Sequence, residues 1–264
     1  MERMIEKQMH GHIHPISRAI FEIRAIFEEL GFAIAVGPEL ETEWYNFDAM
    51  NIPADHPARD MQDTFWITTP ESKCEARNSK SKTDLKSEIL NLKSNRQVLR
   101  THTSPVQVRY VEDKVNQGIK PPYKIVVPGK VFRNEATDAT HEVQFHQLEG
   151  LYIDKNVSMT HLKGTLEYFF KKFFGPEVEI RFRPSFFAFT EPSAEVDMKW
   201  KGKWLEIVGS GLMHPNVLKA AGVDPKEYSG FAFGCGLDRL VMMKTGIPDV
   251  RMFYSGDLRL VNQF

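Results

Sequence analysis

Cysteine is scarce in this 264-residue sequence: there are two, Cys74 and Cys235, far apart and with no CxxC pair. That excludes a disulfide framework and a cysteine zinc site and makes a reducing compartment the default. No apolar run approaches the roughly 20 residues needed to span a bilayer. The stretch Met1 to His10 is charged and has no signal-peptide core. A soluble, cytoplasmic protein with no membrane segment is expected. Charge excess is also missing: 34 Lys+Arg stand against 35 Asp+Glu, a formal net charge of -1. A polybasic nucleic-acid coat and an acidic tail protein are therefore excluded, whereas a local basic patch is not. No repeat occurs at solenoid or propeller periods. No aromatic residue lies between Trp66 and Tyr110, and Pro70 to Gln97 is rich in Lys, Ser, Glu, Asn and Thr. That segment reads as a solvated insertion with a short helix near Leu85 to Leu92.

What the sequence has in excess is phenylalanine, 19 residues against 7 Tyr and 4 Trp. From His14 to Leu30 the apolar residues Ile16, Ile20, Ile23, Phe27 and Leu30 recur at helical spacing, with Pro15 in the first turn and Gly31 after the end. Phe32 to Val36 reads as a short buried strand stopped by Gly37 and Pro38. Further strands are expected at Tyr123 to Val127, Lys130 to Arg133, Val143 to Tyr152, Val178 to Arg183, Glu195 to Trp200 and Lys203 to Val208. The last two are joined by a tight turn at Gly202. A helix from Ser158 to Phe173 places Met159, Leu162, Leu166, Phe169 and Phe173 on one face. Strands with interspersed helices imply an α+β fold around an antiparallel sheet.

The strand Val143 to Tyr152 carries the most chemistry. At a period of two, Phe145, Gln147 and Glu149 share a face. A buried amide and carboxylate need partners, and a ligand ammonium would serve; the alternative is a solvent-facing sheet surface. Arg133 ends a strand before the small, polar loop Ala136 to His141, where it could meet a phosphate or form a surface salt bridge. Ser229 to Leu240 reads as strand, glycine turn and helix; Gly234 and Gly236 admit a flat ligand, and Arg239 emerges in the first helical turn, where anions are favoured. Arg239 replaces the third glycine of GxGxxG and no βαβ unit surrounds it, which excludes a dinucleotide fold. In His141 to His146 the second histidine comes one place late for HExxH, against a zinc hydrolase. His10, His12 and His14 read as a solvated segment. Ser104 reads as the cap of a helix starting at Pro105, and no nucleophile elbow marks a serine hydrolase. Phe186, Phe187 and Phe189, between Pro184 and Pro192, either fill core or wall an apolar pocket.

Taken together and in order, these segments resemble class II aminoacyl-tRNA synthetases, specifically the bacterial phenylalanyl-tRNA synthetase α-subunit family. Gly31 to Leu40 resembles motif 1, Phe132 to Glu135 with Phe145-His146-Gln147-Leu148-Glu149-Gly150 resembles motif 2, and Gly230 to Arg239 resembles motif 3. Asn46 to Asn51, His56 to Asp60, His102-Thr103-Ser104 and the phenylalanine-rich segment extend the match from about Gly11 to Phe264. The resemblance implies a class II catalytic domain over 1–264, with the polar insertion at about 70–97. It implies phenylalanine activation by ATP and transfer to tRNA(Phe). Arg133 and Arg239 would be catalytic and would bind ATP with Glu135, His141, Phe145 and Gly236. Phenylalanine would be bound by His102, Ser104, Gln147, Glu149, Phe187, Phe189, Ala232 and Gly234. Mg²⁺ would accompany ATP through Glu191 or Glu206, the choice being open. A β subunit in an (αβ)₂ heterotetramer would be the partner. The family's N-terminal coiled-coil arm finds no counterpart in the ten residues before Gly11. Two alternatives are a non-catalytic synthetase-like module, disfavoured by Arg133, Glu149 and Arg239, and a relative handling phosphoserine or pyrrolysine. A phosphoserine pocket should be cationic, whereas Ser185 to Thr190 is aromatic and small.

Overall fold

The computed structural model describes residues 11–59, 64–67 and 96–264. Its framework is a seven-stranded sheet in the order β1-β5-β6-β10-β9-β8-β7. The strands are β1 (Ala33–Ile34), β5 (Tyr123–Phe132), β6 (Gln144–Asp154), β7 (Ile180–Phe187), β8 (Thr190–Trp200), β9 (Lys203–Met213) and β10 (Ser229–Gly236). All neighbours are antiparallel except β1 and β5, which run parallel. A small sheet of β2 (Leu40–Thr42), β3 (Trp66–Ile67) and β4 (Gln97–Leu99) lies beside it in the order β2-β4-β3.

Two amphipathic helices cover the back of the large sheet. Helix α1 (Pro15–Glu29) starts at Pro15 and is capped by His14, whose Nδ1 accepts the Ile16 N–H. Helix α3 (Met159–Phe174) is capped by Ser158 and His161 reciprocally. Ile23 and Phe27 of α1, and Leu162, Leu166, Phe169 and Phe170 of α3, are buried in one cluster with Leu148, Phe231 and Phe233 of the sheet. Most of the surplus phenylalanine is thus core: Phe27 packs on Phe169 at 5.0 Å and on Phe233 at 5.7 Å between centroids. Gly150 is required there, because a Cβ on it would lie 2.2 Å from the Phe233 ring.

The front of the sheet stays partly open. Helix α2 (Ser104–Asn116) covers one end of it, where Val106, Val108 and Val111 join Ile125, Val127, Leu151 and Ile153 in a second cluster. Helices α4 (Pro215–Ala220), α5 (Leu237–Thr245) and α6 (Leu258–Val261) complete the fold.

Several expected boundaries shift. Tyr123 to Val127 and Lys130 to Arg133 are one strand, because Pro128 and Gly129 pair with Leu148 and Gln147 of β6. The partner β1 reaches only Ile125 and Val126, so the missing N–H of Pro128 falls on an unpaired edge. The segment with Phe186, Phe187 and Phe189 is a hairpin rather than a loop: β7 runs through Pro184 on the sheet edge, and β8 begins at Thr190. Gln97, placed in the polar insertion, begins β4. The helix expected near Leu85 to Leu92 lies outside the described residues.

Candidate active site

The front face owes its concavity to missing side chains. Gly209 and Gly211 of β9 and Gly234 and Gly236 of β10 lie side by side, Gly234 pairing with Gly209 and with Glu149. Two cavities open over this floor, of about 1010 Å³ and about 440 Å³. They share Arg133, Glu135, Gln147, Gly209 and Gly234 as lining residues, so they are compartments of one cleft.

The larger compartment is lined by side chains of both charges. Arg133, Glu135, His141, Phe145, Glu206, Gly236 and Arg239 all line it. The Arg133 guanidinium lies 5.2 Å from the Phe145 ring centroid, donates to the Thr101 carbonyl at 3.2 Å and sits 3.7 Å from Glu135. The expected surface ion pair therefore exists, but its partly exposed geometry is worth only about 0–1 kcal/mol and leaves donors free. Arg239 occupies the first turn of α5 and has no hydrogen-bond or ion-pair partner among the described residues. His141 is held by Asp138 at 3.0 Å, and the Thr140 N–H and His141 keep that carboxyl well below its ordinary range. Two arginines on a helix start and a strand end, with an aromatic ring in the same cavity, suit a nucleoside polyphosphate.

The smaller compartment ends in hydrogen-bond acceptors. Glu149 is 5% exposed; it accepts from the Thr103 N–H at 3.0 Å, from Gln107 Nε2 at 3.2 Å and from the Ser104 hydroxyl. Burial pushes its carboxyl up to about 7 despite those donors. His102 Nε2 lies 2.9 Å from the Asn46 carbonyl, which can only accept, so Nε2 carries the proton and Nδ1 a lone pair. Nδ1 is buried without a partner, and burial pulls the imidazole down to about 4, so it stays neutral. Gln147 Oε1 is likewise buried and unpartnered. Glu149, His102 and Gln147 all line this compartment, and a buried imidazole lone pair and amide oxygen without partners are acceptors that a donor group could satisfy.

The same compartment is lined by an aromatic pair. Phe187 and Phe189 stack at 5.7 Å with 14° between ring planes. The Phe187 ring lies over Gly209, where a Cβ would meet it at 3.0 Å. Ala232, Gly234, Met50, Ile52 and His56 line the compartment as well. Phe186 stands at the rim, 84% exposed.

One sequence expectation needs correction. Ser104 does not cap α2: Thr103 is the cap residue without a side-chain bond, and the Ser104 hydroxyl turns to Glu149 because a buried carboxylate is the stronger acceptor. Glu191 and Glu206, between which the sequence left the Mg²⁺ carboxylate open, stand far apart. Glu206 pairs with Asp197, six residues along β8 from Glu191, or about 20 Å at strand rise. Glu206 lines the larger compartment, whereas Glu191 is exposed beside His214 at 3.5 Å and lines neither.

Three contributors escaped sequence reasoning. Gln107 was detectable, since it follows Ser104 by three residues and shares its helix face. Asn46 is fully buried and exchanges bonds with Thr101 at 3.1 and 3.2 Å, which fixes the strand end that carries His102. Arg100 is 3% exposed and holds the carbonyls of Lys130, Gly37 and Pro38 at 2.7 to 3.2 Å, passing over Gly129. No local pattern marks either residue.

Comparison with known proteins identifies the family. The family model "tRNA synthetases class II core domain (F)" matches residues 1–264. The chain is 48% identical over 256 residues to the "Phenylalanine--tRNA ligase alpha subunit" of Edwardsiella ictaluri, covering 97% of this chain and 68% of that protein. It is 50% identical over 268 residues to the one of Shouchella clausii, covering 97% and 70%. In fold it is similar to pyrrolysyl-tRNA synthetase from Desulfitobacterium hafniense, with a TM-score of 0.67, 16% identity and coverage of 95% of this chain and 76% of that one. The chain belongs to the phenylalanine–tRNA ligase α-subunit family of class II synthetases.

Proposed function

We propose that this chain activates L-phenylalanine with ATP and transfers it to the 3′ end of tRNA(Phe). What carries the substrate assignment is the smaller compartment, where acceptors for an ammonium line the same cavity as a stacked Phe187–Phe189 wall of a size suited to a phenyl ring. ATP would lie in the larger compartment with adenine on Phe145, its α-phosphate at Arg133 and its γ-phosphate at Arg239. Arg133 lies at the junction of the two compartments, where the amino-acid carboxylate would meet the α-phosphorus. That carboxylate attacks in line, the bond to the pyrophosphate oxygen breaks, and an aminoacyl adenylate forms. Neither this step nor transfer to the ribose hydroxyl needs a protein nucleophile; alignment and charge neutralisation supply the acceleration.

Among the described residues no three His, Cys, Asp or Glu side chains cluster as a metal site. Mg²⁺ arriving with ATP needs only one or two carboxylates besides phosphate oxygens, and Glu206 in the larger compartment fits that need. When bound there it would neutralise polyphosphate charge. A β subunit is the implied partner, as the α-subunit designation of the relatives indicates. No described helix is long and apolar enough to cross a membrane.

The test is chromatographic capture of the adenylate from the chain with its β partner, ATP and radiolabelled amino acids. Phenylalanyl-adenylate is expected; an adenylate of a cationic or phosphorylated amino acid in its place would overturn the assignment.

A further inference from the structure

The lining of the smaller compartment comes from distant parts of the chain: Met50 and Ile52 from one segment, Phe187 and Phe189 from another. Most bonds that hold the aromatic wall are local to the hairpin and its neighbouring strand. The Phe187 N–H donates to Ser193 Oγ at 3.1 Å, and the Phe189 carbonyl accepts the His214 N–H at 2.9 Å. The hairpin tip is different. There the Ala188 carbonyl accepts at 2.6 Å from Nδ2 of Asn51, which lies between Met50 and Ile52 in the chain. Asn51 Oδ1 in turn accepts from Asn216 Nδ2 at 3.0 Å, on the first turn of α4. A carbonyl can only accept, so the amide orientation of Asn51 is fixed by chemistry. Its backbone has φ +56, a left-handed conformation that asparagine tolerates better than most residues.

We infer that Asn51 is a specificity-determining positioning residue: it latches the Phe187–Phe189 wall to the Met50–Ile52 wall and thereby sets how wide a ring the compartment admits. The inference rests on assigning that compartment to the phenylalanine ring. Asn51 touches the hairpin backbone rather than the substrate, so it acts through the aromatic wall. If the latch opens, the apolar contact around an unsubstituted ring loosens and room appears for a para substituent. The larger compartment shares no residue with the latch, so ATP affinity is untouched.

Two substitutions preserve the left-handed backbone. Asn51→Asp keeps an acceptor for Asn216 but places a carboxylate oxygen against the Ala188 carbonyl, and the two acceptors repel. Asn51→Gly removes both bonds. Pyrophosphate exchange by the enzyme with its β partner should be measured for phenylalanine, 4-chlorophenylalanine and ATP, with Ala232→Gly as a parallel variant that enlarges the floor directly. Both Asn51 variants are expected to raise the phenylalanine KM and to narrow the preference for phenylalanine over 4-chlorophenylalanine by about tenfold, the scale of one small group in an apolar pocket. The ATP KM should stay within about twofold. A selectivity change in Ala232→Gly with parental values in both Asn51 variants would overturn the latch and leave the pocket assignment standing. Parental selectivity in all three would overturn both. Parallel rises of the ATP and phenylalanine KM in the Asn51 variants would also overturn the latch, since they would mark a general loss of structure.

Discussion

Glu149 should make phenylalanine binding depend on pH near neutrality. Its carboxyl must be ionised to pair with an ammonium, and burial holds it at about 7 in the free site. One pH unit below that value about one site in eleven is ionised, so the phenylalanine KM at pH 6 should be about tenfold above its high-pH limit, or ~1.4 kcal/mol of binding. His102, pulled down to about 4, does not titrate in this window. The assay is phenylalanine-dependent pyrophosphate exchange at saturating ATP between pH 6 and 8. Glu149→Gln removes the titrating group, so its KM should be flat across the window. It should also be higher by ~30-fold or more, because truncating one member of a buried charge pair costs about 2–5 kcal/mol. Stability obeys the same linkage: with the folded value above the ordinary 4.5, protonated Glu149 favours the native state. That contribution is full below 4.5 and is lost as pH rises through about 7. Added phenylalanine should offset the loss at pH 8. A parental KM that is flat from pH 6 to 8, or a Glu149→Gln variant with the parental slope, would refute the reasoning.

Other expectations are separable. Arg239→Ala should lower kcat for exchange by about 10²-fold or more, the cost of losing a charge-stabilising donor, while calorimetry still detects phenylalanine binding. Gly150→Ala should lower stability by ~1–3 kcal/mol or more in thermal or urea unfolding, because its Cβ would overlap the Phe233 ring. Arg109 forms a two-pronged pair at 2.7 and 2.8 Å with Glu41, which is 1% exposed. Arg109→Ala strands that carboxylate and should cost about 3–5 kcal/mol, whereas the double variant Arg109→Leu with Glu41→Leu should recover most of the loss.

How much of this was legible in the sequence follows from how local each determinant is. The face Phe145, Gln147, Glu149 is a property of strand period, and the structure places all three in the cleft. Helices α1 and α3 followed from apolar spacing and capping residues, within one residue at each end. Ser104 was misread because a serine before a proline looks like a cap, and only the fold brings Glu149, 45 residues later, within reach of its hydroxyl. The strand through Pro128 was split because the missing donor matters only on a paired edge, and edge status is not local information. Asn46 entered only as part of a matching segment and Arg100 not at all, and the role of neither was visible, since their partners are backbone carbonyls and a threonine brought near by tertiary contact. The Asn51 latch joins residues 137 positions apart and was invisible for the same reason.

The most direct measurement is ATP–pyrophosphate exchange by this chain with its β partner, run separately with each of the twenty standard amino acids. The account predicts strong exchange with L-phenylalanine, weak exchange with tyrosine and none with charged side chains, the phenylalanine signal disappearing in Arg239→Ala. Exchange driven by another amino acid with phenylalanine inert, or phenylalanine-driven exchange that survives in Arg239→Ala, would contradict it.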